Sequence, residues 1–370
     1  MTTTLRVVLD APVAAGDRQG EAARELAKAL VRTAPSGCDV AALLPSVPED
    51  VRAALREQVP GLARVDTAPL GRRELAASWQ LGIAAGVGGG MIHATGLAAP
   101  LVRHDRVYDH HQIVVTVWDL AAWEAPDELA RPYVSWQKGM LKRATKHADA
   151  VVVPTHAHAE RLAEVAKLGD RIRVIAGAAP DGFGIPTDDV GRRRALDLPT
   201  EYVLVDGSWR AGLDAALRAV ARAGGELPVV VLGVGEAETS AVAELGGAAG
   251  LPEARLLVRG TLEAFDRAAV VSGASALIAP ATITAFPWLV VDALALGTPV
   301  VAADCAVHRE VVVDGGLLVD AAGEGLADAL GQVLGSDSAR ERLSVLAADR
   351  GRAFSWAGAA ERVWQLHADL

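Results

Sequence analysis

Few residues in this chain combine a reactive type with a suggestive place, and the first of them is Asp292. It lies in FPWLVVDALALGTPVVAAD, residues 286–304, among Leu289, Val290, Val291, Ala293 and Leu294. A carboxylate in such a run either sits on a solvated outer stripe or is aimed into a cleft, where its oxygens can accept two hydroxyl hydrogen bonds at once. Arg210 stands in VDGSWRAGLDAAL, a few residues after Gly207. Taken by itself it could be an ordinary surface arginine. His93 ends a buried run, which suits a cleft residue or a satisfied core histidine. The cluster His104, Asp109, His110 and His111 invites a metal, but its spacing matches no standard ligand pattern. His156 and His158 follow Thr155, a good helix N-cap, and are expected on a solvated first turn. GVGEAE, starting at Gly233, lacks the third glycine of a dinucleotide fingerprint.

These residues need elements to hold them. Short Val-, Ile- and Leu-rich runs alternate with longer Ala-, Leu-, Arg- and Glu-rich helical segments, the pattern of doubly wound α/β domains with parallel sheets. The first half offers strands at 5–9, 39–44, 91–94, 113–117, 150–153 and 173–175, with helices such as 21–32 and 133–146. After GAAPDGFGIPTDD, residues 177–189, a second series runs at 202–205, 229–232, 255–258, 276–278, 299–302 and 316–319. The Gly-, Pro- and Asp-rich stretch between the series is expected to link two domains. Ligands of such sheets bind beyond the carboxyl ends of the strands. A last helix, in AFSWAGAAERVWQLHADL, is expected to be capped by Ser355, and Trp356 and Trp364 need something to pack against.

Composition narrows the classes. With 370 residues, 51% of them hydrophobic, the chain has ample material for two cores. Against 46 acidic residues stand 36 basic ones, and the net charge of −10 argues against a general nucleic-acid binder. Two cysteines, Cys38 and Cys305, build no disulfide framework. MTTTLRVVLDAP runs straight into a strand, so no signal peptide is expected, and a cytoplasmic protein follows. WQKGMLKRATKHADA presents Lys138, Lys142, Arg143, Lys146 and His147 on a helix, either a solvated stripe or a docking face for an anionic acceptor or membrane surface.

One family fits nearly the whole chain. TAFPWLVVDALALGTPVVAAD followed by HREVVVDGGLLVD resembles, without a gap, the donor-side signature of glycosyltransferase family 4, the retaining enzymes of GT-B fold. MIHATGLAAP, VVTVWDLAAWEAPDEL, ADAVVVPTHAHAERLAE and RIRVIAGAAPDGFGIP are similar to that family's first-half motifs. The resemblance implies two Rossmann-like domains facing across a cleft: 1–180 on the acceptor side, 181–350 for the nucleotide sugar, and a helix, 351–370, returning to the first domain. It implies transfer of a hexose, mannose or glucose, from a nucleotide-diphosphate sugar to a hydroxyl acceptor that is a glycan or lipid-linked, in glycan or cell-envelope polysaccharide synthesis. No catalytic metal and no cofactor beyond the sugar-nucleotide co-substrate are expected, and no nucleic acid. The protein is expected at the inner face of the membrane if the basic helix makes a peripheral contact there.

Residue by residue, the resemblance puts Trp118, Asp119 and Thr284 at catalytic positions. It puts Gly207, Arg210, Phe286, Pro287, Trp288 and Asp292 on the donor, Asp292 holding the ribose, and Gly16, Arg18 and His93 on the acceptor side. Several of these depart from the family pattern. Thr284 stands where the first of two glutamates, eight positions apart, is expected. Pro287 removes a backbone donor from the diphosphate turn. Ala211 replaces a phosphate-neutralising lysine, Asp206 adds a negative charge, and Trp118 replaces a histidine with an indole that cannot exchange protons. A second reading follows: a catalytically impaired homologue acting as a binding or scaffold subunit beside an active partner glycosyltransferase.

Overall fold

A computed structural model describes residues 2–9, 17–84, 86–320 and 324–370. The chain forms two units, one of Met1–Gly177, Thr284–Phe286 and Ser355–Leu370, the other of Ala178–Ile283 and Pro287–Phe354. In the first unit β1 (Thr3–Val8), β2 (Cys38–Leu44), β3 (Arg64–Thr67), β4 (Met91–Ala94), β5 (Gln112–Thr116), β6 (Ala150–Val153) and β7 (Ile172–Val174) make a parallel sheet of order β3-β2-β1-β4-β5-β6-β7. Val7 pairs with Ala42 on one side and His93 on the other, which fixes the register at the sheet's centre. Every residue of β6 is buried, as expected for a strand covered on both faces. The edge strand β3, RVDT, is half-exposed and polar, so it lacks the apolar run by which the others can be recognised.

The second unit repeats the architecture with β8 (Val203–Asp206), β9 (Val229–Leu232), β10 (Leu256–Arg259), β11 (Ala276–Ala279), β12 (Val300–Ala303) and β13 (Gly316–Val319), in the order β10-β9-β8-β11-β12-β13. Winding runs outward from β8 to β10 and then restarts at β11. The strand order therefore reverses between β8 and β11, the place where an open α/β sheet leaves a crevice at its carboxyl edge. In the first unit the same reversal falls between β1 and β4.

Helices cover both sheets for local reasons. Arg18–Arg32 starts at Asp17, whose carboxylate accepts the Gly20 N–H at 3.1 Å. The helix Trp288–Leu296 is almost wholly apolar and buried, and it stops at Gly297, whose φ of +69° suits glycine. A side chain there would also press on the Ser344 carbonyl. The final helix, Trp356–Asp369, is capped by Ser355, which accepts the Gly358 N–H at 3.1 Å. It returns to the first unit, packing against Arg18–Arg32, and Trp364 Nε1 donates to the Leu30 carbonyl at 3.1 Å.

Candidate functional site

In the first unit the candidate residues gather where β5 ends. Trp118 is 5% exposed; its indole N–H donates to the Thr95 carbonyl at 2.9 Å, and its ring leans on Phe286 with centroids 6.0 Å apart. An indole so enclosed is a wall of the site, with little face left for a sugar. Asp119 lies next to it, with Oδ1 accepting the Ala121 N–H and Oδ2 accepting Gln19 Nε2, both at 3.1 Å. Burial raises the Asp119 carboxyl above the usual carboxylate range, against the opposing pull of those two donors, and the nearby Glu124 adds to the rise. Arg18 pairs with Glu21 at 2.7 Å on the same helix as Gln19. Gly16 lies outside the described residues.

Thr284, Ala285 and Phe286 join this unit as a short tongue. Leu120 donates its N–H to the Thr284 carbonyl at 2.9 Å, Ala285 bridges Asp119 in antiparallel fashion, and Phe286 donates to the Trp118 carbonyl at 3.1 Å. The Thr284 N–H is held by Glu124 Oε2 at 2.6 Å. Sequence reasoning brought Trp118, Asp119, Thr284 and Phe286 to one place but missed Gln19 and Glu124. Glu124 lies inside the run VVTVWDLAAWEAPDEL but at no position to which a role is attached, and Gln19 belongs to no quoted motif, so nothing local announced them.

His93 is elsewhere. It is fully buried, and its Nδ1 lies 3.4 Å from His367 Nε2 on the final helix. His367 Nδ1 in turn meets Gln112 Oε1 at 2.9 Å, so the neutral pair hydrogen-bonds in one direction, His93 to His367 to Gln112. Burial holds both imidazoles well below the ordinary histidine value, His367 at about 4. His93 is thus a buried residue that contacts the final helix, and its acceptor-side assignment stays an expectation of the resemblance. His158 is also buried, with Nδ1 2.7 Å from the Thr155 hydroxyl, and does not lie on a solvated turn. His104 is engaged by Asp149 at 2.7 Å, a contact that raises the imidazole and lowers the carboxyl.

In the second unit Gly207 and Arg210 occupy the loop leaving β8, at the point where strand order reverses. At Gly207 a side chain would stand 2.7 Å from methyl groups of Val231 and Val234, and at Gly212, with φ +79°, it would run into the Pro280 carbonyl. Gly207 thus lies flush against β9 and the loop after it, and Gly212 brings the loop after β8 against the start of the loop after β11. Arg210 is exposed beside this seam, while Asp206 turns its carboxylate back to accept the Ser208 N–H at 3.0 Å. Pro287 and Trp288 open the buried helix, which no side chain caps. Asp292 is the surprise. It is fully buried, and its Oδ2 takes Arg267 Nε at 2.8 Å, from a guanidinium only 4% exposed. Arg267 also donates to the Leu262 carbonyl at 3.0 Å and lies under the Phe183 ring, 5.3 Å from its centroid. Asp292 is therefore not a solvated helix residue; one of its oxygens neutralises a buried arginine, and its place on the ribose stays an expectation of the resemblance. Arg267, inside an apolar helix, was not singled out from the sequence.

Residues 202–336 match the family model for glycosyl transferases group 1. A D-inositol 3-phosphate glycosyltransferase from Xylanimonas cellulosilytica is 34% identical over 60% of this chain, and the match spans 57% of that relative's length. Sucrose-phosphate synthase from Thermosynechococcus elongatus superimposes with a TM-score of 0.72 at 20% identity, over 99% of this chain and 98% of that one. Anabaena HepE in complex with UDP-glucose gives 0.71 at 16% identity, over 99% and 100%. These two likenesses concern the fold. The chain therefore carries a region at residues 202–336 that matches the group 1 glycosyl transferases, within a fold of two Rossmann-like units of the GT-B kind.

Proposed function

We propose that the protein is a retaining hexosyltransferase that takes glucose or mannose from a nucleotide-diphosphate sugar and passes it to a hydroxyl acceptor. The observation that carries this reading is the close-packed glycine loop after β8 at the point of strand reversal, with Gly207 against Val231 and Val234, Gly212 against the Pro280 carbonyl, and Arg210 exposed between them in sequence. Backbone N–H groups there and at the start of the Trp288–Leu296 helix suit a diphosphate, and Arg210 supplies positive charge as the sugar–phosphate bond breaks. Phe286, Pro287 and Trp288 would border the sugar. In the first unit Asp119, with its raised carboxyl, and Arg18 would meet the acceptor. The UDP-glucose held by HepE supports a hexose donor, and the D-inositol 3-phosphate in the relative's name supports a hydroxyl acceptor. Lys138, Lys142 and Lys146, exposed along one helix, support peripheral contact with an anionic surface or a lipid-linked acceptor in glycan or cell-envelope synthesis.

A second reading is favoured by the Arg267–Asp292 pair: a homologue impaired in catalysis that binds sugar nucleotides or a partner transferase without turnover. Purified protein incubated with a panel of nucleotide sugars, followed by thermal shift and nucleotide release, separates the two. Release with a shift supports the transferase, and a shift without release supports the binding subunit. No shift with any donor contradicts donor binding altogether.

A further inference from the structure

We infer that Glu124 is a positioning residue of the proposed transfer, the group that sets where Thr284 stands; the inference rests on the transferase reading above. Glu124 closes the short helix Ala121–Glu124, and its side chain is 16% exposed. The two carboxylate oxygens serve different elements: Oε2 accepts the Thr284 N–H at 2.6 Å, and Oε1 accepts Arg161 Nε at 2.8 Å from the helix His156–Val165. Thr284 is thus gripped from both sides of its backbone, its N–H by Glu124 and its carbonyl by the Leu120 N–H at 2.9 Å.

The chemistry favours a carboxylate in this role. Charge-assisted bonds to a backbone N–H and to a guanidinium are short and directional, and one carboxylate can make both. The placement matters because position 284 carries a hydroxyl where a carboxylate is expected from the resemblance. A hydroxyl has a short reach, so its distance from a bound sugar is set by the main chain that bears it, and Glu124 holds that main chain. The same contact brings a negative charge beside the residue that lacks one. Arg161 also pairs with Glu164 at 2.5 Å, so removal of Glu124 leaves the guanidinium compensated and isolates the Thr284 arm.

The test uses the full chain with Glu124→Ala, Glu124→Gln and, as a control, Arg161→Ala. Amide hydrogen exchange of the 284–286 segment is measured alongside kcat and donor KM with UDP-glucose, read as UDP release. Glu124→Ala should speed exchange at Thr284 at least about 10-fold while β4 and the final helix keep their rates. It should lower kcat at least about 10-fold, the scale of a small misplacement, with donor KM changed less than about threefold. Glu124→Gln keeps an acceptor oxygen for the Thr284 N–H and should recover most of kcat, a rescue that a loss of folding would not give. Arg161→Ala should have the smaller effect. Unchanged exchange in Glu124→Ala, an unchanged kcat, or a glutamine variant as poor as the alanine overturns the inference. If the wild type releases UDP from no donor, the transferase reading falls and the role in transfer falls with it, while the exchange measurement still decides whether Glu124 holds Thr284.

Discussion

At the scale of single residues, Asp292 shows how a motif position and a physical role can part. The sequence run around it gives a carboxylate on a buried helix, and a buried carboxylate needs a partner. That partner is Arg267, 25 residues earlier on another helix, and no sequence spacing announces such a pairing. Breaking a buried pair from one side strands the other charge, so Asp292→Ala should cost about 3–5 kcal/mol. The urea midpoint reads that loss. Asp292→Ala with Arg267→Met should regain part of it, because two apolar groups of similar volume leave no uncompensated charge. If Asp292→Ala leaves the midpoint unchanged but abolishes nucleotide affinity, the carboxylate serves the ligand after all.

At the scale of elements, the final helix is the instructive piece. Its cap, Ser355, was legible because a serine before an apolar run has few other reasons to be there, and Ser355→Ala should cost about 1 kcal/mol by thermal unfolding. Its docking was half-legible. Trp364 demanded a partner, but the Leu30 carbonyl could not be named from sequence. The His93–His367 contact was invisible, since the two residues are 274 positions apart. It has a consequence for pH. Both imidazoles are depressed in the folded state, so their neutral forms are fully tolerated above the unfolded value near 6.5, and stability is lost as pH falls below it. For His367, held at about 4 by burial, the loss should approach about 3 kcal/mol once pH reaches that value. The groups facing the pair are Gln112 and, at longer range, Asp149, whose charge pulls His367 the other way. Denaturant midpoints between pH 7 and 4 should fall, and His93→Gln with His367→Gln should flatten the fall. A wild-type midpoint constant over that range contradicts the assignment.

At the scale of the whole chain, the strands were legible to within about a residue or two because parallel strands covered on both faces read as continuous apolar runs. The polar edge strand β3 escaped for the converse reason. What sequence could not supply was the grouping of Thr284–Phe286 with the first unit, since that depends on main-chain hydrogen bonds to residues more than 160 positions away. No helix among the described residues is long and apolar enough to cross a membrane, and Lys138, Lys142 and Lys146 are exposed along one helix, where the proposed contact with an anionic surface would be made. Reversing those three charges should weaken binding to vesicles containing anionic lipid by roughly 1 kcal/mol per residue, with little effect on neutral vesicles.

The central claim is that the seam between the loops after β8 and β11 receives a nucleoside diphosphate. Calorimetric titration of the wild type and of Gly212→Ala, whose side chain would enter the seam at the Pro280 carbonyl, with UDP and UDP-glucose tests it most directly, with circular dichroism and thermal unfolding confirming that the variant stays folded. The account predicts saturable binding of both ligands to the wild type and loss of that binding when the seam is filled. Equal affinity in the folded variant, or heats at the level of dilution for the wild type, would contradict it.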